Sequence, residues 1–190
     1  MNFNKEWYER KFEELLQKTT KEKFFIKESS ATFKISLYQK KGEKSFAIAT
    51  FLLKATKNKE LRETNELPDE LFLNYWIITI SYYSMLYLAK ALILTKGYET
   101  DDHYSTQIAL GKLFVITDEL EIEDLEILNQ SYKILEDEYV AYFEEARKES
   151  KSARYEAIKS YDRQRVDAIY NNAKKFIAKL SLIILGTEKQ

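Results

Sequence analysis

The sequence predicts an all-α fold, an up-and-down antiparallel helical bundle built around one long central apolar helix. Three observations carry this. The 190 residues contain one Pro and four Gly, too few breakers for a many-turned β fold. Nineteen residues, Leu71–Ala89, run without a single charge. Elsewhere, apolar residues recur at spacings of three and four, the period of a helix with one face buried.

The elements follow in order. Residues 4–18 set Trp7, Phe12, Leu15 and Leu16 at helical spacing, which predicts a short amphipathic helix. Ser29-Ser30 suits a helix start. A second helix fits from about Thr32 to Ala55, with Phe33, Leu37, Phe46, Ala49 and Leu53 on one broad face and Gly42 as a local weakness. Residues 56–67 are polar and read as a loop. Pro68 suits the first turn of the central helix, and Asp69 and Glu70 suit its positive end. That helix runs to Lys96, where Gly97 stops it. Residues 98–105 read as a loop, and a helix from Thr106 to about Thr117 follows. A long helix begins near Asp124, with a seam of Leu125, Leu128, Tyr132, Leu135, Tyr139, Tyr142 and Ala146. The last spans about Tyr161 to Leu185, with Val166, Ile169, Tyr170, Ala173, Phe176, Ile177, Leu180 and Ile184 on one face.

Composition bounds the class. Hydrophobic residues at 45% and charged residues at 32% describe a globular chain rather than a disordered one. Without Cys there is no disulfide framework and no thiolate metal site, and one His, His103, cannot build a multi-histidine site. The uncharged run is long enough to span a membrane. It also holds Asn74, Thr79, Ser81, Ser84 and four Tyr, and it stands alone. The centre of a bundle needs such a helix, so the expectation is a core helix, no membrane span and a cytoplasmic protein. The N-terminus is charged throughout and shows no secretory leader.

Charge is segregated despite a net value of −1. Thr117–Glu145 holds eleven acidic residues and one Lys, and Arg147–Lys179 holds ten Lys/Arg against four Asp/Glu. The second stretch is either a solvated helix face or a surface for phosphate-bearing partners. Tyr82 and Tyr83 are either core and interface aromatics or a stacking site. No Gly-rich phosphate loop, nucleophile elbow or HExxH is present.

The segment from Ser81 to His103 resembles the HEPN domain family, in particular its small prokaryotic members. The resemblance rests on Tyr82-Tyr83, Met85, Lys90-Ala91-Leu92, Lys96-Gly97 and His103, seven residues beyond Lys96. It continues into Gly111-Lys112 and Phe114-Val115, and upstream into the Lys40–Ala55 stretch. It covers residues from near Thr32 to Leu185 and so divides the chain into an accessory helix with its connector, 1–31, and a HEPN-like bundle, 32–187. Residues 1–30 are left as an extra packing helix or a partner-binding arm.

This resemblance implies an antiparallel bundle that forms a homodimer, binds RNA or nucleotide and belongs to a toxin–antitoxin or defence pair, with a small nucleotidyltransferase as partner. It implies no metal and no cofactor. Family members that cut RNA use an Arg followed after four to six residues by His. Here Arg154 is followed by Tyr161 in that register. Arg suits bidentate phosphate stabilisation. Tyr, with an ordinary pKa of ~10, is a weak base at neutral pH. Whether the chain is an enzyme is therefore open. The alternatives to a binding module are a metal-independent endoribonuclease and a non-catalytic protein scaffold. The candidate catalytic residues are Arg154 and Tyr161. The candidate phosphate or RNA contacts are Lys151, Lys159, Arg163, Arg165 and His103.

Overall fold

A computed structural model describes residues 3–22, 31–68, 70–147 and 163–187. Seven α-helices occur there: α1 (Lys5–Glu22), α2 (Ala31–Thr56), α3 (Lys59–Thr64), α4 (Glu70–Thr95), α5 (His103–Leu110), α6 (Ile122–Arg147) and α7 (Arg163–Thr187). No strand occurs among the described residues, so the all-α expectation holds.

The bundle is organised on α4. Its apolar stretch is 78% buried inside the protein, so the run serves as a core helix. Leu73, Ile77, Ile78, Tyr82, Met85, Leu88, Ala91, Leu92 and Ile93 are buried on it. A helix enclosed by neighbours on several sides needs an apolar surface nearly all round, which is why α4 lacks a polar face. Ion pairs mark the chain directions. Lys34 on α2 meets Glu99 beyond the end of α4 at 2.7 Å. Lys179, late in α7, meets Glu121 and Asp124 at the start of α6 at 3.2 and 2.5 Å. Arg163, at the start of α7, meets Glu70 at the start of α4 at 3.2 Å. Hence α2 and α6 run against α4 and α7, in the expected up-and-down arrangement.

Helix α2 packs closely along α4 by a seam at intervals of seven: Ile35, Gly42, Ala49 and Thr56, all buried. The expected face is corrected here. Ala49 faces inward and Phe46 and Leu53 are half-buried, but Phe33 is 74% exposed and Leu37 is 38% exposed. Gly42 and Ala49, not Phe33 and Leu37, face α4 at the middle of this contact. A Cβ on Gly42 would lie 1.9 Å from Leu88 Cδ2 and 2.9 Å from the Ser84 carbonyl. Gly42 is thus where two helices touch, and α2 runs through it unbroken.

Further departures from the expected boundaries have local causes. The polar stretch 56–67 contains α3, because the Asn58 side chain accepts from the Leu61 N–H at 3.0 Å and caps a helix start. Helix α5 begins at His103, three residues earlier than expected. Asp102 caps it, accepting from the Ser105 N–H at 2.6 Å, while the Ser105 hydroxyl accepts from the Asp102 N–H at 3.4 Å. The helix then widens into a single π-helical turn, Gly111–Val115. Gly97 ends α4 at φ 81°, the left-handed conformation that glycine adopts without steric cost.

The N-terminal helix shares the core. Tyr8 and Phe12 of α1 are buried with the residues of α4, α5, α6 and α7. The Tyr8 ring packs on Gly111, where a Cβ would come within 2.4 Å of it. Glu9 pairs with Lys112 at 2.9 Å beside it. On α7, Val166, Ile169, Ala173, Phe176, Ile177, Leu180 and Ile184 are buried. The α6 seam buries Leu125, Leu128 and Leu135, while Tyr139, Tyr142 and Ala146 lie outside the described side chains.

Candidate functional site

The described candidate residues fall in two places. The first is the end of the bundle where α7 begins. Arg154, Tyr161, Lys151 and Lys159 lie outside the described residues. Arg163 and Arg165 open α7, and the Arg163 guanidinium donates to Glu70 Oε1 across the start of α4. Both partners are about half exposed, so this pair contributes little to stability. Nearby, Lys57 at the end of α2 approaches Asp167 at 3.8 Å. The helix ends α2, α4 and α7 therefore meet here, and their basic groups are interleaved with carboxylates.

The second place is the aromatic cage around His103. The capped start of α5 fixes its backbone. Lys90 on α4 donates to the Asp101 carbonyl at 2.8 Å, and Thr100 and Thr106 share a hydroxyl hydrogen bond at 2.8 Å, pinning the preceding loop. The imidazole stacks on Tyr132 of α6, with ring centroids 3.7 Å apart and planes within 10°. Its Nδ1 lies 3.0 Å from the Tyr82 hydroxyl of α4.

The electrostatics assign the proton. Burial lowers the His103 pKa to about 4, with smaller raising influences from Asn129 and Asp102. The positive end of α5 disfavours a cation there as well. His103 is therefore neutral at pH 7. Burial also holds Tyr82 protonated, above its ordinary range, with the neighbouring Tyr83 and Tyr132 adding to the shift. The Tyr82 hydroxyl then donates to Nδ1, which places the imidazole proton on Nε2. Asn129 lies near enough to influence the ring, yet among the described residues no atom completes a hydrogen bond of ordinary geometry with Nε2.

A neutral imidazole held in this way has its one acceptor, Nδ1, taken by Tyr82 and one N–H, at Nε2, left to donate. It is a weak general acid or base at neutral pH. Tyr82 is buried, whereas its neighbour Tyr83 is 38% exposed. The same Tyr pair thus faces both the core and the surface. The structure does not bring His103 beside Arg163. His103 contacts α4 at Tyr82 and Arg163 contacts it at Glu70, twelve residues away, about 18 Å along the axis. Reading by sequence paired His103 with a loop. Its partner Tyr132 was legible only as a seam residue. No cluster of three metal-ligating side chains occurs among the described residues.

Comparison with known proteins adds two findings. The sequence model of the HEPN domain family matches residues 54–183. A protein of Methanocaldococcus jannaschii, named as a candidate toxin, is 35% identical over 74 residues, which cover 39% of this chain and 50% of that protein. The matched stretch spans about half the length of that relative.

Proposed function

The chain belongs to the HEPN domain family, and from that premise we propose that it is a HEPN module that binds RNA or nucleotide as one half of a toxin–antitoxin or defence pair. The observation that carries the reading is the coincidence of the family match with the basic run into α7. The match spans the central helix and the last helix, and Arg154, Lys159, Arg163 and Arg165 lie within it. The toxin name of the relative supports the two-component setting.

In this reading Arg154 contacts phosphate with its planar, always-charged fork. Tyr161 orients the same group, and Lys151, Lys159, Arg163 and Arg165 supply sequence-independent attraction. His103 takes part as a holder of α5 against α4 and α6, through Tyr82 and Tyr132. The module works as a homodimer in the cytoplasm, with a small nucleotidyltransferase as partner.

The test is direct. Purified protein is incubated with end-labelled RNA in EDTA, and binding is followed across a salt series. Salt-sensitive retention of intact RNA, weakened in Arg154→Ala, is the expected result. Cleavage that Arg154→Ala abolishes would make the chain a metal-independent endoribonuclease instead. No binding at low salt would leave a protein-interaction scaffold.

A further inference from the structure

The outward face of α2 is unusual for a surface. Seven residues line it in order: Phe33, Leu37, Lys40, Lys41, Lys44, Ile48 and Phe51. Their steps of three and four, with one adjacent lysine pair, keep them on one side of the helix. All seven are exposed. The four apolar members range from 38% to 74% exposure. On α4, Phe72 and Trp76 are also exposed. Two exposed apolar pairs on one helix face, held apart by lysines, go beyond singly scattered surface hydrophobics.

The order of residues along the face says what fits it. An apolar pair stands at each end, with three lysines between. No Asp or Glu is among the seven. The nearest carboxylate in sequence, Glu43, turns to the flank, where Gln39 donates to it at 3.0 Å. Lys41 is held in place, its Nζ 5.6 Å from the Tyr38 ring centre and 5.7 Å from that of Tyr87. The central charge is thus partly fixed before any partner arrives.

We propose that this face docks an amphipathic helix from a partner protein, with two apolar clusters separated by Asp or Glu. The partner helix needs about 18 residues, since Phe33 and Phe51 are about 27 Å apart along α2. Its apolar clusters cover Phe33 with Leu37 and Ile48 with Phe51. Its carboxylates meet Lys40, Lys41 and Lys44, giving register as well as attraction. The pattern reads nearly the same in both directions, so either helix polarity satisfies it.

Two other occupants fit less well. A second copy packed α2 on α2 about a two-fold axis would set the three central lysines against their own counterparts. Sliding the copies to part the lysines would leave one apolar pair on each uncovered. A lipid surface suits helices whose cations flank an unbroken apolar face. Here the lysines divide that face in the middle. The proposal does not depend on RNA binding, which concerns the other end of the chain's charge pattern.

The experiment uses the full chain and a fluorescein-labelled, helix-forming synthetic peptide of 21 residues. Leucine pairs match the two apolar ends, and three glutamates lie between. A control peptide carries lysines in place of the glutamates. Fluorescence anisotropy should show saturable binding of the first peptide and none of the control. Lys40→Glu/Lys44→Glu should weaken it at least about tenfold, as like charges then oppose each other. Phe51→Ser should weaken it similarly, with circular dichroism unchanged in both variants. Arg154→Ala should leave peptide binding intact, which separates this proposal from the RNA reading. Absence of binding, or equal binding by the charge-reversed variant, overturns it. So does light scattering that shows a dimer dissociated by Phe51→Ser, or binding to phosphatidylglycerol vesicles lost in both variants.

Discussion

Replacing Gly42 by Ala tests the packing of the bundle more sharply than any truncation. Two effects oppose each other. Ala stabilises a helix interior by about 1 kcal/mol over Gly. Against that, the new methyl group would lie 1.9 Å from Leu88 Cδ2 and 2.9 Å from the Ser84 carbonyl oxygen. Leu88 is fully buried, so its side chain has no open space to enter. The Ser84 oxygen is backbone, so relief there requires α2 and α4 to separate. Overpacking of this kind costs about 1–3 kcal/mol. A net destabilisation of up to about 2 kcal/mol follows, a fall in Tm of up to roughly 8 °C for a chain of this size. Gly186→Ala is the control, because nothing lies within 4 Å of a Cβ there. The assay is urea unfolding followed by circular dichroism, with both variants and the double variant Gly42→Ala/Leu88→Ala. Gly42→Ala should cost less in the Leu88→Ala background, since the clash partner has been shortened. If Gly42→Ala raises stability by about 1 kcal/mol, like an exposed helix glycine, then the close approach of α2 to α4 is wrong.

His103 makes stability depend on pH. Its folded pKa of about 4 lies below the ordinary 6.5. The unfolded chain therefore binds the extra proton first, and stability falls as pH drops from 6.5 towards 4. Between pH 7.5 and 5 the loss is roughly 2 kcal/mol, and it should vanish in His103→Gln, as measured by urea midpoints across that range. Tyr8→Ala removes a buried ring from above Gly111 and should cost about 3–5 kcal/mol in the same assay, with loss of near-ultraviolet dichroism. A near-zero effect would mean that α1 is not part of the core. Gly97→Ala forces a Cβ into the left-handed region at φ 81° and should cost about 1–2 kcal/mol, although no neighbour obstructs it.

Much of this fold was legible because each signal was local. The scarcity of Pro and Gly, the uncharged run ending at Gly97 and the α7 face from Val166 to Ile184 need only the helical period to be read. The family resemblance was legible for the same reason, since it rests on short spacings from Tyr82 to His103. The basic run with Arg154 and Tyr161 was equally plain as composition, but composition does not say what a charge meets.

Tertiary structure decided what depends on a second surface. Phe33 and Leu37 have the hydrophobicity of core residues, yet Gly42 and Ala49 face α4. At a close helix crossing, backbone proximity selects small side chains, and large ones are left outside. Tyr8 could become a core residue only because Gly111, over a hundred residues away, leaves room for its ring. His103 had no assigned partner in sequence. Tyr82, twenty-one residues before it, and Tyr132, twenty-nine residues after it, converge on its ring when α4, α5 and α6 pack. The sequence by itself determined the long helices and where most of them stop, but not the short α3 or the start of α5. The packing determined which faces are inside, because burial is a property of two surfaces in contact and a sequence pattern describes one.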